Sequence, residues 1–201
     1  IRDCLLSRGL GDVYKRQCSS SRHFKGSKTR PCLYRLYFLE FQADMKKIIN
    51  PWGEIEGYNC FGCAPQNPSG LHMEFYEDGD DIVSFWHPDG KYQGWLNTLH
   101  GGIQAVLLDE ICGWVIMRKL QTAGVTSKME TRYLRPVHTT DNMLTLRASI
   151  REQRRNIVTI DASLLNEAGE ICTQAVCTYF TFSREKALQD MHFHECKTED
   201  E

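Results

Sequence analysis

The sequence has no uninterrupted apolar run of the roughly 20 residues needed to cross a membrane. Its nearest approach, LYRLYFLEF at 33–41, is broken by Arg35 and Glu40, and no small-residue cleavage site follows it. Neither a membrane span nor a signal peptide is expected. Internal repeats are lacking too. So is an excess of positive charge: 24 Lys and Arg face 26 Asp and Glu over 201 residues. Nine of those basic residues fall in 1–44, with four acidic ones. From Met45 onward 15 basic residues therefore meet 22 acidic ones, a formal charge of −7. A general nucleic-acid binder carries the opposite sign. The nine cysteines lack the density of a small secreted disulfide scaffold. With no export signal, reduced thiols and a cytoplasmic location are expected.

What is present begins oddly. Residues 7–17, SRGLGDVYKRQ, have no apolar period and no amphipathic face. Back-translated in frame, they resemble a transposase sequencing adapter along their whole length. Residues 1–17 are therefore read as adapter read-through in an assembled metagenomic gene and are set aside from fold reasoning. Residues 18–44 are basic and irregular, and MKKIINPWGEIEGYN reads as a natural start at Met45. On this reading 1–44 is a disordered, non-native leader and 45–183 is one domain, long enough for a proper core. Residues 184–201 are a polar tail that frays after a short helix.

Within the domain, NPSGL (67–71) is turn chemistry, and HMEFYEDGDDIVSFW reads as two strands around an Asp78-Gly79 turn. One strong helical pattern runs from about Gly102 to Gln121. Four β-rich runs follow: TSKMETRYLRPV, NMLTLRASIRE, NIVTIDASLLN and EICTQAVCTYFTFS. This order predicts an α+β domain, an antiparallel sheet with one helix against it. At 100° per residue, Ile103, Leu107, Ile111 and Trp114 form one apolar stripe. Ala105, Cys112, Gly113 and Ile116 form a smaller-residue face, with Leu108 and Val115 between. A helix so apolar all round is expected to be enclosed by the sheet.

Asp109 falls on the small face of that helix, where a carboxylate needs a reason. A satisfied buried acid is the plain alternative. The helix entrance argues otherwise, because LHGGIQAVLLDE places His100-Gly101-Gly102 nine residues upstream. Paired glycines allow close approach to the backbone. First-turn N–H groups are unpaired and carry the positive dipole end. Together they suit an oxyanion or carbonyl oxygen, with an acid further along the helix.

NCFGCAPQNPSGLHMEF, HGGIQAVLLDE, TSKMETRYLRPV and AVCTYFTF resemble the hotdog-fold acyl-CoA thioesterases, specifically the phenylacetate-degradation (PaaI-like) branch, over Tyr58 to Ser183. The resemblance implies an antiparallel sheet wrapped around one long central helix. It implies Asp109 as general base or nucleophile, with the Gly101 N–H polarising the thioester carbonyl. His100 would orient or hydrogen-bond near that oxygen, and Thr126 would position water. It further implies a dimer, or a dimer of dimers, in which Asp109 faces His100 and Gly101 of the other chain. Many relatives place Asn six residues before the histidine; here Gly94 stands there, and Gln93 is the candidate substitute.

Further substrate-binding candidates are Gly102, Asn97, Tyr92 and Trp95, with Arg132, Arg135, Arg154 and Arg155 for the phosphates of coenzyme A. Solvated strand edges are the alternative for the arginines. Coenzyme A is part of the substrate, so no separate cofactor is expected. Glu110 is expected to point toward Ile103 and Trp114, away from the chemistry. Cys60 and Cys63 are read as two small buried thiols rather than a zinc site with His192, His194 or Cys196, because the spacing matches no standard module. No metal is expected. The alternative function is a non-hydrolytic acyl-CoA binder or a hotdog dehydratase.

If residues 1–44 are a non-native leader, a chain starting at Met45 will unfold at the same temperature as the full chain. A clear drop in its thermal midpoint would show that the leader packs on the domain.

Overall fold

The computed structural model describes residues 45–201; the readings of 1–44 lie outside the described residues. In chain order the elements are β1 (Lys46–Lys47), β2 (Phe75–Asp78), β3 (Asp81–Trp86), β4 (Gln93–Trp95), β5 (Thr98–Leu99) and helix α1 (Gly101–Leu120). There follow β6 (Gly124–Tyr133), β7 (Leu144–Arg154), β8 (Ile157–Leu165), β9 (Ile171–Thr181) and helix α2 (Arg184–Met191). Seven strands form one sheet in the order β1-β2-β3-β7-β8-β9-β6, antiparallel throughout, while β4 and β5 pair separately. This is the expected α+β layout, and a sheet curled about one long helix is the hotdog arrangement.

Sequence alternation explains the sheet. In β8, Val158, Ile160, Ala162 and Leu164 are buried and their neighbours are not. In β7, Leu144, Leu146 and Ala148 repeat the pattern. Register shifts in β6, at 126–128, and in β7, at 150–152, each insert an irregularity that bends its strand. The resulting concave face packs on Leu107, Leu108, Ile111, Cys112, Val115 and Ile116 of α1. Trp114 stacks on Phe75 with ring centroids 4.4 Å apart. The helix stops where Gln121 turns left-handed, at φ 51°.

Enclosure of the helix is less complete than the sequence pattern implied. Gly102 is exposed, and Ala105, Asp109 and Gly113 are only partly covered. The reason is topological: among the described residues β6 ends the sheet, with no strand on its outer side. Most of β6 is correspondingly exposed. Among the described residues no helix is long and apolar enough to cross a membrane.

The C-terminal segment also differs from the expected fraying tail. After α2 the chain returns to the sheet, where Thr198 bridges to Ile48 and the Ile49 N–H donates to the Lys197 carbonyl. Phe193, Cys196 and Thr198 are buried. Phe193 packs on Trp52, whose indole N–H donates to the Met191 carbonyl at 2.8 Å. Arg118 pairs with both Glu77 and Glu201 at 2.7 Å. Polar composition concealed three inward-facing residues spaced two or three apart.

Phe193→Ala is expected to cost about 3–5 kcal/mol, the usual range for a buried phenylalanine, read from urea unfolding. A loss below about 1 kcal/mol would show that this segment contributes little. Glu77 should add a pH signature. Burial works to raise its carboxyl, but hydrogen bonds from Arg118 and Lys119 outweigh it and hold the group below its ordinary value. A depressed carboxyl stabilises the fold above its unfolded pKa, and that contribution disappears as pH falls. The fold as a whole should therefore lose stability below about pH 4, read from unfolding midpoints across pH.

Candidate active site

His100 caps α1 through its ring: Nδ1 accepts from the Gly102 N–H at 2.9 Å. Accepting at Nδ1 leaves the neutral ring with its proton on Nε2, a donor. The His100 carbonyl takes the N–H groups of Ile103 and Gln104, and its own N–H goes to Tyr92. The Gly101 N–H, by contrast, has no partner among the described residues, as expected in a first helical turn. The Tyr133 hydroxyl donates to the Gly101 carbonyl at 2.9 Å, tying β6 to the helix start. Gly94 lies against the His100 ring, where a Cβ would come within 3.2 Å of Cδ2. That close approach gives the glycine at 94 a physical reason.

Asp109 sits two turns further along, partly exposed. Thr126 donates to its Oδ1 at 2.7 Å. Tyr179, from β9, donates to the same oxygen at 3.0 Å and lies 2.8 Å from the Asp109 carbonyl. Burial pushes the Tyr179 phenol well above its ordinary value, and the neighbouring carboxylate adds to this. Both donors converge on Oδ1, and no hydrogen bond engages Oδ2 among the described residues. Thr126 thus touches the carboxylate itself. Tyr179 was missed by sequence reasoning; its only signal was a polar tip in an otherwise core-facing strand.

Gly101 and Asp109 are eight residues apart on one rigid helix. At about 1.5 Å per residue they stand roughly 12 Å apart along its axis. A single carbonyl and one attacking water need groups within about 3 Å of each reacting atom. One chain therefore does not bring these two together.

The other candidates scatter. Gln93 Oε1 accepts from the Asn97 N–H at 3.2 Å and so closes the β4–β5 hairpin. Asn97 is left-handed there, at φ 58°, and its carbonyl accepts from Thr139. Tyr92 packs on Trp86 and donates to the Gly70 carbonyl at 3.1 Å, anchoring the NPSGL loop. Trp95 and its neighbour Leu96 are each 83% exposed. Arg135 donates to the Ile171 carbonyl, and Arg154 pairs with Glu152. Tyr133 marks the end of the sheet beside the helix start, which places Arg132 and Arg135 there. Ile157 pairs with Phe180, next to the Gly124–Thr181 pair, so Arg154 and Arg155 belong to the opposite end.

Glu110, one residue on, faces another environment, toward Trp114 as expected. It accepts from the Trp114 indole at 3.2 Å and from the Cys60 thiol at 3.5 Å. Burial pushes its carboxyl up to about 7, and the neighbouring Cys60 adds to this. Of the two thiols expected to be buried, Cys63 is buried and Cys60 is half-buried. Hydrogen bonding with Cys63 brings the Cys60 thiol down to about 5, while the same bond and burial raise Cys63. The combination with His192, His194 or Cys196 does not form. Among the described residues, Cys60, Cys63 and Glu110 are the group of potential metal ligands.

Residues 96–173 match the family model of the thioesterase superfamily. A hypothetical thioesterase from Streptococcus pneumoniae, solved with coenzyme A, is 25% identical with a TM-score of 0.52, over 56% of this chain and 87% of that one. A Streptococcus mutans protein bound to acetyl-CoA is 16% identical at TM-score 0.53, covering 65% and 98%. The Escherichia coli PaaI protein of the phenylacetic acid degradation operon is 19% identical at 0.53, covering 57% and 82%. Comparison with curated proteins returns no match.

Tyr179→Phe removes the second donor to Asp109 and should lower stability by about 1.5–3 kcal/mol, the range for hydrogen bonds to charged groups. Urea unfolding of the two proteins checks this. An unchanged midpoint would mean that Thr126 alone holds the carboxylate.

Proposed function

We infer that this chain, whose residues 96–173 match the family model of the thioesterase superfamily, is a thioester hydrolase that cleaves acyl-CoA to free acid and coenzyme A. The observation that carries the mechanism is the paired layout of α1: an unpartnered N–H at its start and a carboxylate with one free oxygen further along. The thioester oxygen would accept from the Gly101 N–H, with the helix dipole behind it. The His100 Nε2 proton is available to the same region. Asp109, oriented by Thr126 and Tyr179 through Oδ1, offers Oδ2 to the reaction. As general base it takes a proton from water while the water oxygen attacks the carbonyl carbon; the C–S bond then breaks and the thiolate leaves with a proton. As nucleophile, Oδ2 attacks the carbonyl carbon, the C–S bond breaks with departure of the coenzyme A thiolate, and water then hydrolyses the resulting anhydride to free acid and the restored Asp109 carboxylate.

The 12 Å separation within one helix supports a site shared between two chains. The β6 edge suggests how. Tyr133 near one end of β6 touches Gly101, and Thr126 near the other end touches Asp109. Antiparallel pairing of two β6 edges would bring the Thr126 end of one chain toward the Tyr133 end of the other, and Asp109 toward the partner's helix start. Pairing would also satisfy an open ten-residue edge. The exposed Trp95 and Leu96 adjoin that same helix start and suit an acyl chain or the second subunit. The neighbours solved with coenzyme A or acetyl-CoA support the substrate class.

A panel of acyl-CoA substrates with free thiol as the readout tests the reading. Asp109→Asn is expected to lower turnover by about a hundredfold or more, while a non-hydrolysable acyl-CoA analogue still binds. Full turnover in this variant would remove Asp109 from the chemistry. Binding without turnover by the parent would leave a non-hydrolytic binder. Light scattering should report a dimer or tetramer; an active monomer would defeat the shared site.

A further inference from the structure

We propose that Cys60, Cys63 and Glu110 form a binding site for a thiophilic divalent cation of the zinc class, fastening the loop before β2 to the middle of helix α1. Nothing in the acyl-transfer reading uses these groups. The two sulfurs and a Glu110 oxygen lie within 4.8 Å of one another, and Cys60 Sγ is 3.5 and 3.6 Å from the two Glu110 oxygens. With Zn–S near 2.3 Å and Zn–O near 2.0 Å, tetrahedral ligands stand about 3.5 Å apart. The Cys60–Glu110 spacing is already that of two coordinated ligands, and the Cys63 sulfur lies within 4.8 Å of both.

The surroundings fit the same purpose. The Cys60-Phe61-Gly62-Cys63 turn folds back on itself, with the Ala64 N–H donating to the Cys60 carbonyl. Glu110 presses so closely on Gly62 that a Cβ there would fall 2.3 Å from its carboxyl carbon. The turn is therefore shaped to admit this one side chain. Outer partners hold the set: the Trp114 indole donates to Glu110, and the Tyr58 hydroxyl lies 2.9 Å from Cys63 Sγ. Such contacts orient metal ligands. Among the described residues, no Lys, Arg or His makes an ion pair with Glu110. Three groups able to become anions share a largely covered space without a cation. Two thiolates with a carboxylate select zinc over the hard cations, while the oxygen ligand disfavours copper(I). Three protein ligands leave a fourth position for water.

The test uses the untagged full chain, reduced and stripped with a chelator, and zinc alone as the probe. One zinc per chain is expected to bind, to raise the thermal midpoint and to protect Cys60 and Cys63 from alkylation, mapped by peptide mass spectrometry. Cobalt(II) in its place should give tetrahedral d–d bands and a thiolate-to-cobalt charge-transfer band. Glu110→Gln should keep the charge-transfer band but weaken zinc by more than about 100-fold, the upper end of the cost of an outer-shell change. The proposal is overturned if the reduced parent takes up no zinc and its two thiols alkylate equally fast with and without it. It is also overturned if the Cys60→Ser, Cys63→Ser double variant keeps the zinc. A reversible Cys60–Cys63 disulfide in a chain that binds no zinc would make the pair a redox couple instead.

Discussion

The burial of one helix inside a curled sheet governs the rest of this structure. Leu107, Leu108, Ile111, Cys112, Val115 and Ile116 lock α1 against β3, β7, β8 and β9. Their packing fixes both the position of the helix and its rotation about its axis. Once the rotation is set, every polar side chain on the helix has a determined destination. Asp109 meets Thr126 and Tyr179 at the open end of the sheet. Glu110, about 100° around, meets the Cys60–Cys63 turn on another side. Two adjacent carboxylates thereby enter two unlike environments. One stays accessible with a free oxygen; the other is largely covered.

The same lock explains why the helix start and the carboxylate stand apart. A rigid rod keeps an N–H donor and an acid separated, so neither screens the other within one chain. Small residues at 102, 105 and 113 leave the helix low along the side that carries Asp109. That side faces the open edge of the sheet, where further protein surface can approach. The exposed Trp95 and Leu96 give the same region an apolar rim.

Much of the architecture was legible in the sequence because it depends on local pattern. β-rich runs bounded by turn residues marked the strands, and the Asp78-Gly79 turn fixed the first hairpin. Apolar residues all around the helix announced its burial. His100-Gly101-Gly102 was legible because a helix entrance needs only adjacent residues. The groups that read poorly are those brought together by long-range packing. Tyr179 reaches Asp109 from 70 residues away, and Cys60 reaches Glu110 across 50. Gln93 was proposed from its nearness in sequence to the histidine, but a hairpin reverses the chain there and turns its amide to Asn97. Composition misled at the C-terminus, where Phe193, Cys196 and Thr198 dock although their neighbours are polar.

The helical twist between Gly101 and Asp109 also bears on how such a chain can change over time. Substitution along this stretch alters one contact at a time, and many outward positions have room for it. A single inserted or deleted residue acts differently. It turns everything downstream by about 100°, pulling Leu107, Leu108 and Ile111 out of the core together and carrying each carboxylate away from its partners. The β8–β9 connection at Asn166–Glu170 has no such constraint, since Gly169 already turns there in the left-handed region. Length variation among descendants of this chain should collect in turns of that kind, with the stretch from histidine to aspartate held at constant length.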